Sequence, residues 1–162
     1  MISIKSEREI ELMRIAGSIV GDTHKYLQKY IKPGITTAEL DELAYNYIIS
    51  RNATPSFKGY EGFPGTICAS INEEVVHGIP GKTKLREGDI ISIDIGACYK
   101  GYHGDSAWTY PVGKISKQKQ DLLKHTEESL FAGLSVIKEG ARIGDIGYAV
   151  SSVANKYHLG VV

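Results

Sequence analysis

The feature that most constrains the fold is a β-hairpin with a carboxylate inside each strand. Residues 89–97 (DIISIDIGA) are rich in β-branched side chains, and residues 102–110 (YHGDSAWTY) form a second strand-like run. Lys100-Gly101 is a connection of the length that joins two antiparallel strands. A two-residue turn would place Asp94 and Asp105 on the same face of the sheet, diagonally displaced. The sequence therefore predicts two converging carboxylates.

Two carboxylates on one sheet face need an explanation, because an ionised carboxylate is costly to bury unless it is paired or bound to a cation. A divalent cation would relieve the repulsion between Asp94 and Asp105. Gly96, which is predicted to lie opposite Asp105, would leave room where such a cation could sit. Both side chains could instead be solvated on an open sheet face, as happens in many antiparallel sheets. The pair alone leaves both interpretations open.

Helices are predicted on both sides of the strand-rich segment, which gives an α+β class. Ser6 with Glu9, and Thr36 with Glu39, have the spacing of capping boxes that open two helices. Apolar residues then recur at intervals of three and four, and Pro33-Gly34 ends the first helix. After residue 113 helical periodicity returns, starting from a cap at Ser116.

The two helical regions have similar sequences. Ile31-Lys32-Pro33-Gly34 resembles Ile137-Lys138-Glu139-Gly140, and an acidic–apolar pair follows each, Glu39-Leu40 and Asp145-Ile146, at an offset of 106 residues. The order of elements also recurs: long helix, turn, second helix. We interpret this as an internal repeat whose second copy stops before its strands; two similar helix pairs without a common origin are the alternative.

Composition excludes several classes of function. Nineteen basic residues balance nineteen acidic ones, so no basic excess favours nucleic acid or an anionic membrane. The apolar runs are too short for a membrane span, and the first residues lack the apolar region of a secretory signal. We therefore expect a cytoplasmic protein in which Cys68 and Cys98 are reduced thiols.

Three further features are ambiguous when each is taken alone. His77 precedes Gly-Ile-Pro, so a turn should direct its ring, yet a structural hydrogen-bonded histidine is the more common case. His103 should share the face of Asp105, either as a supporting partner of that carboxylate or as a cross-strand partner only. The aromatic loop at residues 56–65 can shape an apolar pocket or be a packed surface turn.

Taken together, these segments resemble the type I methionine aminopeptidases over essentially the whole chain. The resemblance lies in the order and spacing of three motifs: Asn72 to Pro80 with its His-Gly-Ile-Pro, Gly88 to Asp94, and Gly101-Tyr102-His103-Gly104-Asp105. It implies the pita-bread (creatinase/aminopeptidase-like) α+β fold, with the first α+β half present together with the helices of the second half. That fold consists of two pseudo-symmetric halves, which accounts for the similarity between the two helical regions.

The resemblance also implies roles for individual residues. Asp94 would chelate one divalent metal ion and Asp105 would bridge two, with Co, Mn, Fe or Zn as the metal. His77 would contact the substrate near the scissile peptide and steady the tetrahedral intermediate. The pocket for the methionine side chain would be walled by Tyr60, Phe63 and Cys68. Phe57 departs from the family, since many bacterial relatives carry a smaller residue there.

The implied activity is removal of the initiator methionine from nascent proteins with a small second residue. The resemblance further implies a monomeric enzyme associated with the ribosome, without a specific nucleic acid or membrane partner. Residues 1–162 would be the N-terminal part of one catalytic domain whose C-terminal part, with a histidine and two glutamate ligands, is absent. Partial or weak metal binding and little or no activity are therefore expected of this chain. The alternatives are a creatinase or proline-specific peptidase, and a non-catalytic pita-bread binding protein.

Overall fold

The computed structural model describes residues 3–162, and the chain divides into two units between Ile115 and Ser116. The first unit contains α1 (Glu7–Gln28), α2 (Thr37–Ser50), β1 (Thr54–Pro55), a 3₁₀ turn (Tyr60–Gly62), β2 (Ile67–Ile71), β3 (Ile90–Tyr99) and β4 (Tyr102–Pro111). The second unit contains α3 (Lys117–Ser135) and α4 (Ile143–Lys156). The predicted order of helices and strands is confirmed.

Local hydrogen bonds set the starts of α1 and α2, and both predicted capping boxes are present. The Glu9 carboxylate accepts a hydrogen bond from the Ser6 N–H at 2.7 Å, and the Glu9 N–H donates to the Ser6 hydroxyl at 3.4 Å. The equivalent distances for Thr36 and Glu39 are 2.8 and 3.1 Å. Each pair satisfies backbone donors that a helix leaves free at its N-terminus.

The first unit has an antiparallel sheet with β3 at its centre. β4 pairs along one edge of β3, while β2 and the short β1 pair along the other. The isoleucines Ile91, Ile93 and Ile95 are fully buried in the core. Because side chains alternate along a strand, Asp94 lies on the opposite face.

Helices α1 and α2 cover the isoleucine side of this sheet. A close approach is at Gly104 on β4, where a Cβ atom would lie 2.5 Å from the Gly17 nitrogen and 2.6 Å from the Ala16 carbonyl carbon. The backbones of helix and strand therefore touch, and Gly104 makes that contact possible. Since Gly104 faces α1, its neighbour Asp105 faces away from the helices.

A histidine that carried no signal in the sequence ties α1 to β4. His24 is buried, its Nδ1 lies 3.0 Å from the Tyr110 hydroxyl, and its Nε2 lies 3.0 Å from the Ser106 carbonyl oxygen. Burial lowers the pKa of His24 and raises that of Tyr110 to about 12. Burial thus favours the neutral form of both groups, because that form is the less costly one to bury.

The second unit is a helical hairpin. Ser116 caps α3 as predicted, and α4 has the same 14-residue length as α2. Apolar side chains are exposed along this hairpin, among them Leu130, Phe131, Leu134, Ile137, Ile143 and Tyr148. None of the helices formed by residues 3–162 has the length and apolar character needed to cross a membrane.

Candidate metal centre

The β3–β4 hairpin brings the two predicted carboxylates together. Lys100 and Gly101 have φ values of 49° and 85°, as a tight two-residue turn requires, and Gly96 pairs with Asp105. This register is the one predicted from the sequence. Asp94 and Asp105 consequently share the sheet face that α1 and α2 leave uncovered.

The two carboxylates have different surroundings. Asp94 is half-buried, and its Oδ1 is buried without a hydrogen-bond partner, whereas Asp105 is exposed. The pKa of Asp94 is raised to about 6, first by burial and then by the charge of Asp105 and a hydrogen bond to it. The alternative of an open, solvated face thus describes Asp105 but not Asp94.

This arrangement fits part of a divalent-metal site. An unpartnered buried carboxylate oxygen beside a second carboxylate is where a cation would replace the missing hydrogen bond and cancel the repulsion. Residues 3–162 nevertheless form no group of three or more His, Cys, Asp or Glu side chains able to hold a metal ion. The described chain therefore supplies two candidate ligands rather than a closed coordination sphere.

Cys68 lies beside the carboxylate pair as a neutral thiol. It is buried on β2 directly opposite Asp94 in the sheet register. Burial, followed by the negative charges of Asp94 and Asp105, raises the pKa of the Cys68 thiol to about 11. A thiolate ligand is thus disfavoured, and the position suits an apolar wall. Both cysteines are free thiols, as predicted.

His77 is held at the same site by its backbone. It adopts a left-handed conformation with φ of 59° in the loop after β2, and its side chain is exposed. The prediction of a turn at His77 is wrong, because the turn in this loop lies at Asn72 and Glu73. The next residue, Gly78, donates its N–H to the Ser70 hydroxyl at 3.1 Å and accepts from the Ala69 N–H at 2.9 Å. A Cβ on Gly78 would overlap the Ala69 carbonyl oxygen. His77 lies near enough to lower the pKa of Asp94 by its charge.

The aromatic loop is tightly turned. Gly59, Glu61 and Gly62 have φ values of 88°, 47° and 82°, and they frame the 3₁₀ turn. Tyr60 is 69% exposed, while Phe63 is half-buried, with its ring against Gly65. Of the three predicted pocket residues, Cys68 alone is shown against the carboxylates; Tyr60 projects into solvent.

The space above Gly96 is occupied by an aromatic ring, so the expectation that it is left free for a cation is wrong. A Cβ on Gly96 would lie 2.6 Å from Phe57 Cε1 and 2.8 Å from Ser56 Cβ. Residue 96 therefore has to be a glycine because the segment after β1 packs directly on it. The hydrogen bond that the structure shows for His103 joins its Nδ1 to the Ser56 hydroxyl at 2.9 Å.

Asp41 on α2 was not singled out from the sequence. Its Oδ1 accepts hydrogen bonds from the backbone N–H groups of Thr66 and Ile67 at 2.6 and 2.9 Å. It thereby fixes the start of β2 and, with it, the position of Cys68. Nothing local distinguishes Asp41 from the other acidic residues of α2, because its partners lie 25 and 26 residues away.

Comparison with known proteins places this geometry in context. The model of metallopeptidase family M24 matches residues 11–162. Methionine aminopeptidase 1 of Bacillus subtilis is 56% identical over the whole chain, which spans 65% of that relative's length. The crystal structure of the methionine aminopeptidase from Rickettsia prowazekii superposes with a TM-score of 0.95 at 39% identity, covering 97% of this chain and 63% of that one.

A more distant structure tests the alternative within the same fold. The prolidase from Pyrococcus furiosus matches 95% of this chain and 44% of its own with a TM-score of 0.86, but at 20% identity. That likeness shows the fold alone. Together with the Rickettsia structure it confirms the predicted α+β pita-bread class. The higher identity lies with the aminopeptidases rather than with the proline-specific enzyme.

Proposed function

Because this chain belongs to metallopeptidase family M24 and is a homologue of the methionine aminopeptidases, we propose that it carries one side of the active site of a metal-dependent aminopeptidase. The reaction is hydrolysis of the peptide bond after an N-terminal methionine. The observation that carries this proposal is the Asp94–Asp105 pair, with a buried carboxylate oxygen that has no hydrogen-bond partner.

Asp94 and Asp105 are the proposed metal ligands. Asp94 would be a ligand of one divalent ion and Asp105 a ligand of two, and carboxylate donors suit Co, Mn, Fe or Zn. When bound, such ions lower the pKa of water and polarise a carbonyl group at neutral pH. The protein's own contribution is to hold two carboxylates on a rigid hairpin, so that little reorganisation is needed when the ions bind.

The proposed substrate-binding residues lie around this pair of carboxylates. His77, fixed through the backbone of Gly78, contacts the peptide near the scissile bond and stabilises the developing negative charge. Cys68 and Phe63 provide apolar surface for the methionine side chain, and Tyr60, which is exposed on its loop, is the third proposed wall residue. The natural substrates are nascent proteins with a small second residue, cleaved in the cytoplasm by a monomeric enzyme that associates with the ribosome.

We further propose that residues 1–162 alone have little or no peptidase activity and bind metal weakly. The reason is the ligand count, since the described residues offer two carboxylates and no cluster of three potential ligands. In this proposal a complete two-metal site requires ligands in addition to these. The chain spans 65% of the length of its relative from Bacillus subtilis.

The test combines metal binding with peptide hydrolysis. The intact gene product, stripped of metal, is titrated calorimetrically with Mn²⁺ or Co²⁺ and then assayed on Met-Ala-Ser. The Asp94→Asn and Asp105→Asn variants should lose metal binding and hydrolysis together. Asp22→Asn is the control, since it removes a carboxylate on α1 that pairs with Lys25 and Arg51 rather than with the proposed site. If the protein binds no metal even at a saturating metal concentration, the non-catalytic alternative is supported. If it cleaves Xaa-Pro dipeptides and not Met-Ala-Ser, the proline-specific alternative is supported.

A further inference from the structure

Ser70, which has no part in the proposed mechanism, is a buried residue on the carboxylate face of the sheet. It lies on β2 opposite Ser92, and Thr109 on β4 pairs with Ser92 from the other side. The hydroxyls of Ser92 and Thr109 are bonded to each other at 2.8 Å, whereas the Ser70 hydroxyl accepts the Gly78 N–H at 3.1 Å. In this row of three hydroxyls, Ser70 therefore joins the sheet to the loop that carries His77.

The backbone of that loop lies directly on Ser70. A Cβ atom on Gly78 would lie 3.0 Å from the Ser70 Cα and would overlap the Ala69 carbonyl oxygen. The Ala69 N–H also donates to the Gly78 carbonyl oxygen at 2.9 Å. One hydrogen bond of Gly78 thus goes to a backbone group, while its N–H relies on a side chain that a single substitution can remove.

The backbone of His77 depends on such contacts. Its φ of 59° lies in the left-handed region, where a non-glycine residue stays only if the surrounding structure holds it. The His77 side chain is exposed, so the hydrogen bonds of the adjacent Gly78 have to provide much of this support. His77 also lies close enough to Asp94 for their charges to interact. A shift of the loop would therefore move the ring relative to the carboxylates.

The two ends of the loop are anchored independently of Ser70. At the start, the Glu74 carboxylate accepts the Ile71 N–H at 2.8 Å. At the end, the Gly81 N–H donates to the Thr37 hydroxyl on α2 at 2.8 Å. Loss of the Ser70 hydroxyl should consequently loosen the middle of the loop, where His77 lies, and leave its ends attached.

We propose that Ser70 is a positioning residue, whose hydroxyl holds the Gly78 backbone and thereby keeps His77 in the conformation that contacts the substrate. This inference rests on the proposed function, in which His77 contacts the peptide near the scissile bond. A displacement of about 1 Å in a positioned group can lower the rate by about 100-fold. Ser70 itself contacts neither the peptide nor the metal ions in this proposal, so Asp94 and Asp105 keep their geometry without it.

The first experiment separates hydrolysis from metal binding in the intact gene product. Ser70→Ala should lower kcat/KM on Met-Ala-Ser by about 10–100-fold and leave the dissociation constant for Mn²⁺, measured by calorimetry, within about 2-fold of the wild type. Thr109→Val is the matched control, because it removes a hydroxyl of the same row that is bonded to Ser92 rather than to the loop. The control should leave both quantities within about 2-fold. Parallel loss of metal binding and hydrolysis in Ser70→Ala overturns the inference.

A double-mutant cycle tests whether Ser70 acts through His77. His77→Ala lowers kcat/KM by itself, and adding Ser70→Ala to it should have almost no further effect, because the side chain to be positioned is already absent. If Ser70 had a structural role only, Ser70→Ala would lower kcat/KM by the same factor in both backgrounds. That result contradicts the positioning role.

The Gly78 amide gives a readout that needs no catalysis. Its hydrogen exchange, followed by NMR in the metal-free protein, should be about 10-fold faster in Ser70→Ala, while the amides of β3 exchange at the wild-type rate. Ser70→Thr keeps a hydroxyl at this position and should restore slow exchange together with most of kcat/KM. The inference is wrong if Gly78 and β3 are accelerated equally in Ser70→Ala. It is also wrong if Ser70→Thr is as stable in urea as the wild type yet exchanges at Gly78 as fast as Ser70→Ala.

Peptide binding distinguishes a failure of this inference from a failure of the proposed function. The dissociation constant of Met-Ala-Ser is measured calorimetrically without metal for the wild type, the two single variants and the double variant of the cycle. If the wild type cleaves the peptide while Ser70→Ala keeps kcat/KM within about 2-fold, the inference fails alone. If the peptide is bound but not cleaved, the proposed function fails, and non-additive dissociation constants support the role of Ser70 while additive ones overturn it. If the wild type neither binds nor cleaves the peptide, both proposals fall.

Discussion

Replacing Asp94 with asparagine should stabilise the metal-free protein while abolishing its binding of divalent cations. Asp94 is half-buried beside Asp105, and its pKa is raised from 3.8 to about 6. The folded protein therefore holds the Asp94 proton more tightly than the unfolded chain does. Between these two pKa values the contribution of Asp94 to the free energy of unfolding falls as the pH rises, and above about pH 6 the full cost of the charge is present.

The size of this cost follows from the two pKa values. A difference of about two corresponds to about 3 kcal/mol if water were excluded from Asp94. Because the side chain is only half-buried, screening by water reduces this to about 1–2 kcal/mol. Asparagine has no charge, and its amide can donate a hydrogen bond to the Asp105 carboxylate. The variant should thus gain about 1–2 kcal/mol at pH 8 and close to nothing at pH 4.

Urea denaturation of the EDTA-treated protein, followed by the fluorescence of Trp108, measures this difference at both pH values. Asp41→Asn is a control of opposite sign, because two backbone amides lose a charged acceptor and about 1–3 kcal/mol is lost at pH 8. An Asp94→Asn variant that is no more stable than the wild type at pH 8 refutes the reasoning. So does a gain of equal size at pH 4 and pH 8.

Further predictions concern four backbone or core positions. Gly104→Ala should cost about 1–3 kcal/mol in urea unfolding, since its Cβ would meet the backbone of α1; Gly21→Ala, with nothing within 4 Å, should instead add about 0.5–1 kcal/mol. Gly78→Ala should displace His77 and raise KM for Met-Ala-Ser about 10-fold without loss of metal binding in calorimetry, if the loop is needed for substrate contact. The pKa of His24 is lowered from 6.5 by burial, so the wild type should lose stability as the pH falls below about 6.5, and His24→Gln should lack that loss in the same titration.

The helix starts and the hairpin register could be predicted from the sequence because they depend on local interactions. The helix starts follow from contacts between residues three apart, such as Ser6 with Glu9, which form in any chain that carries them. The hairpin register follows from the two-residue turn at Lys100-Gly101, and this register alone puts Asp94 and Asp105 on one face. The metal-binding and substrate roles of these residues stay predictions, because they depend on groups other than the described side chains.

Tertiary structure decided the contacts between distant segments. The loop holding His77 is fixed against β2 through Gly78, while Phe57 fills the space over Gly96 that the sequence had suggested for a cation. His24 meets Tyr110 across 86 residues. No short-range pattern encodes such contacts, since they arise only when a helix or loop is laid on the sheet and close packing selects what fits. The sequence by itself determined which residues face the site, and packing determined what shares that face with them.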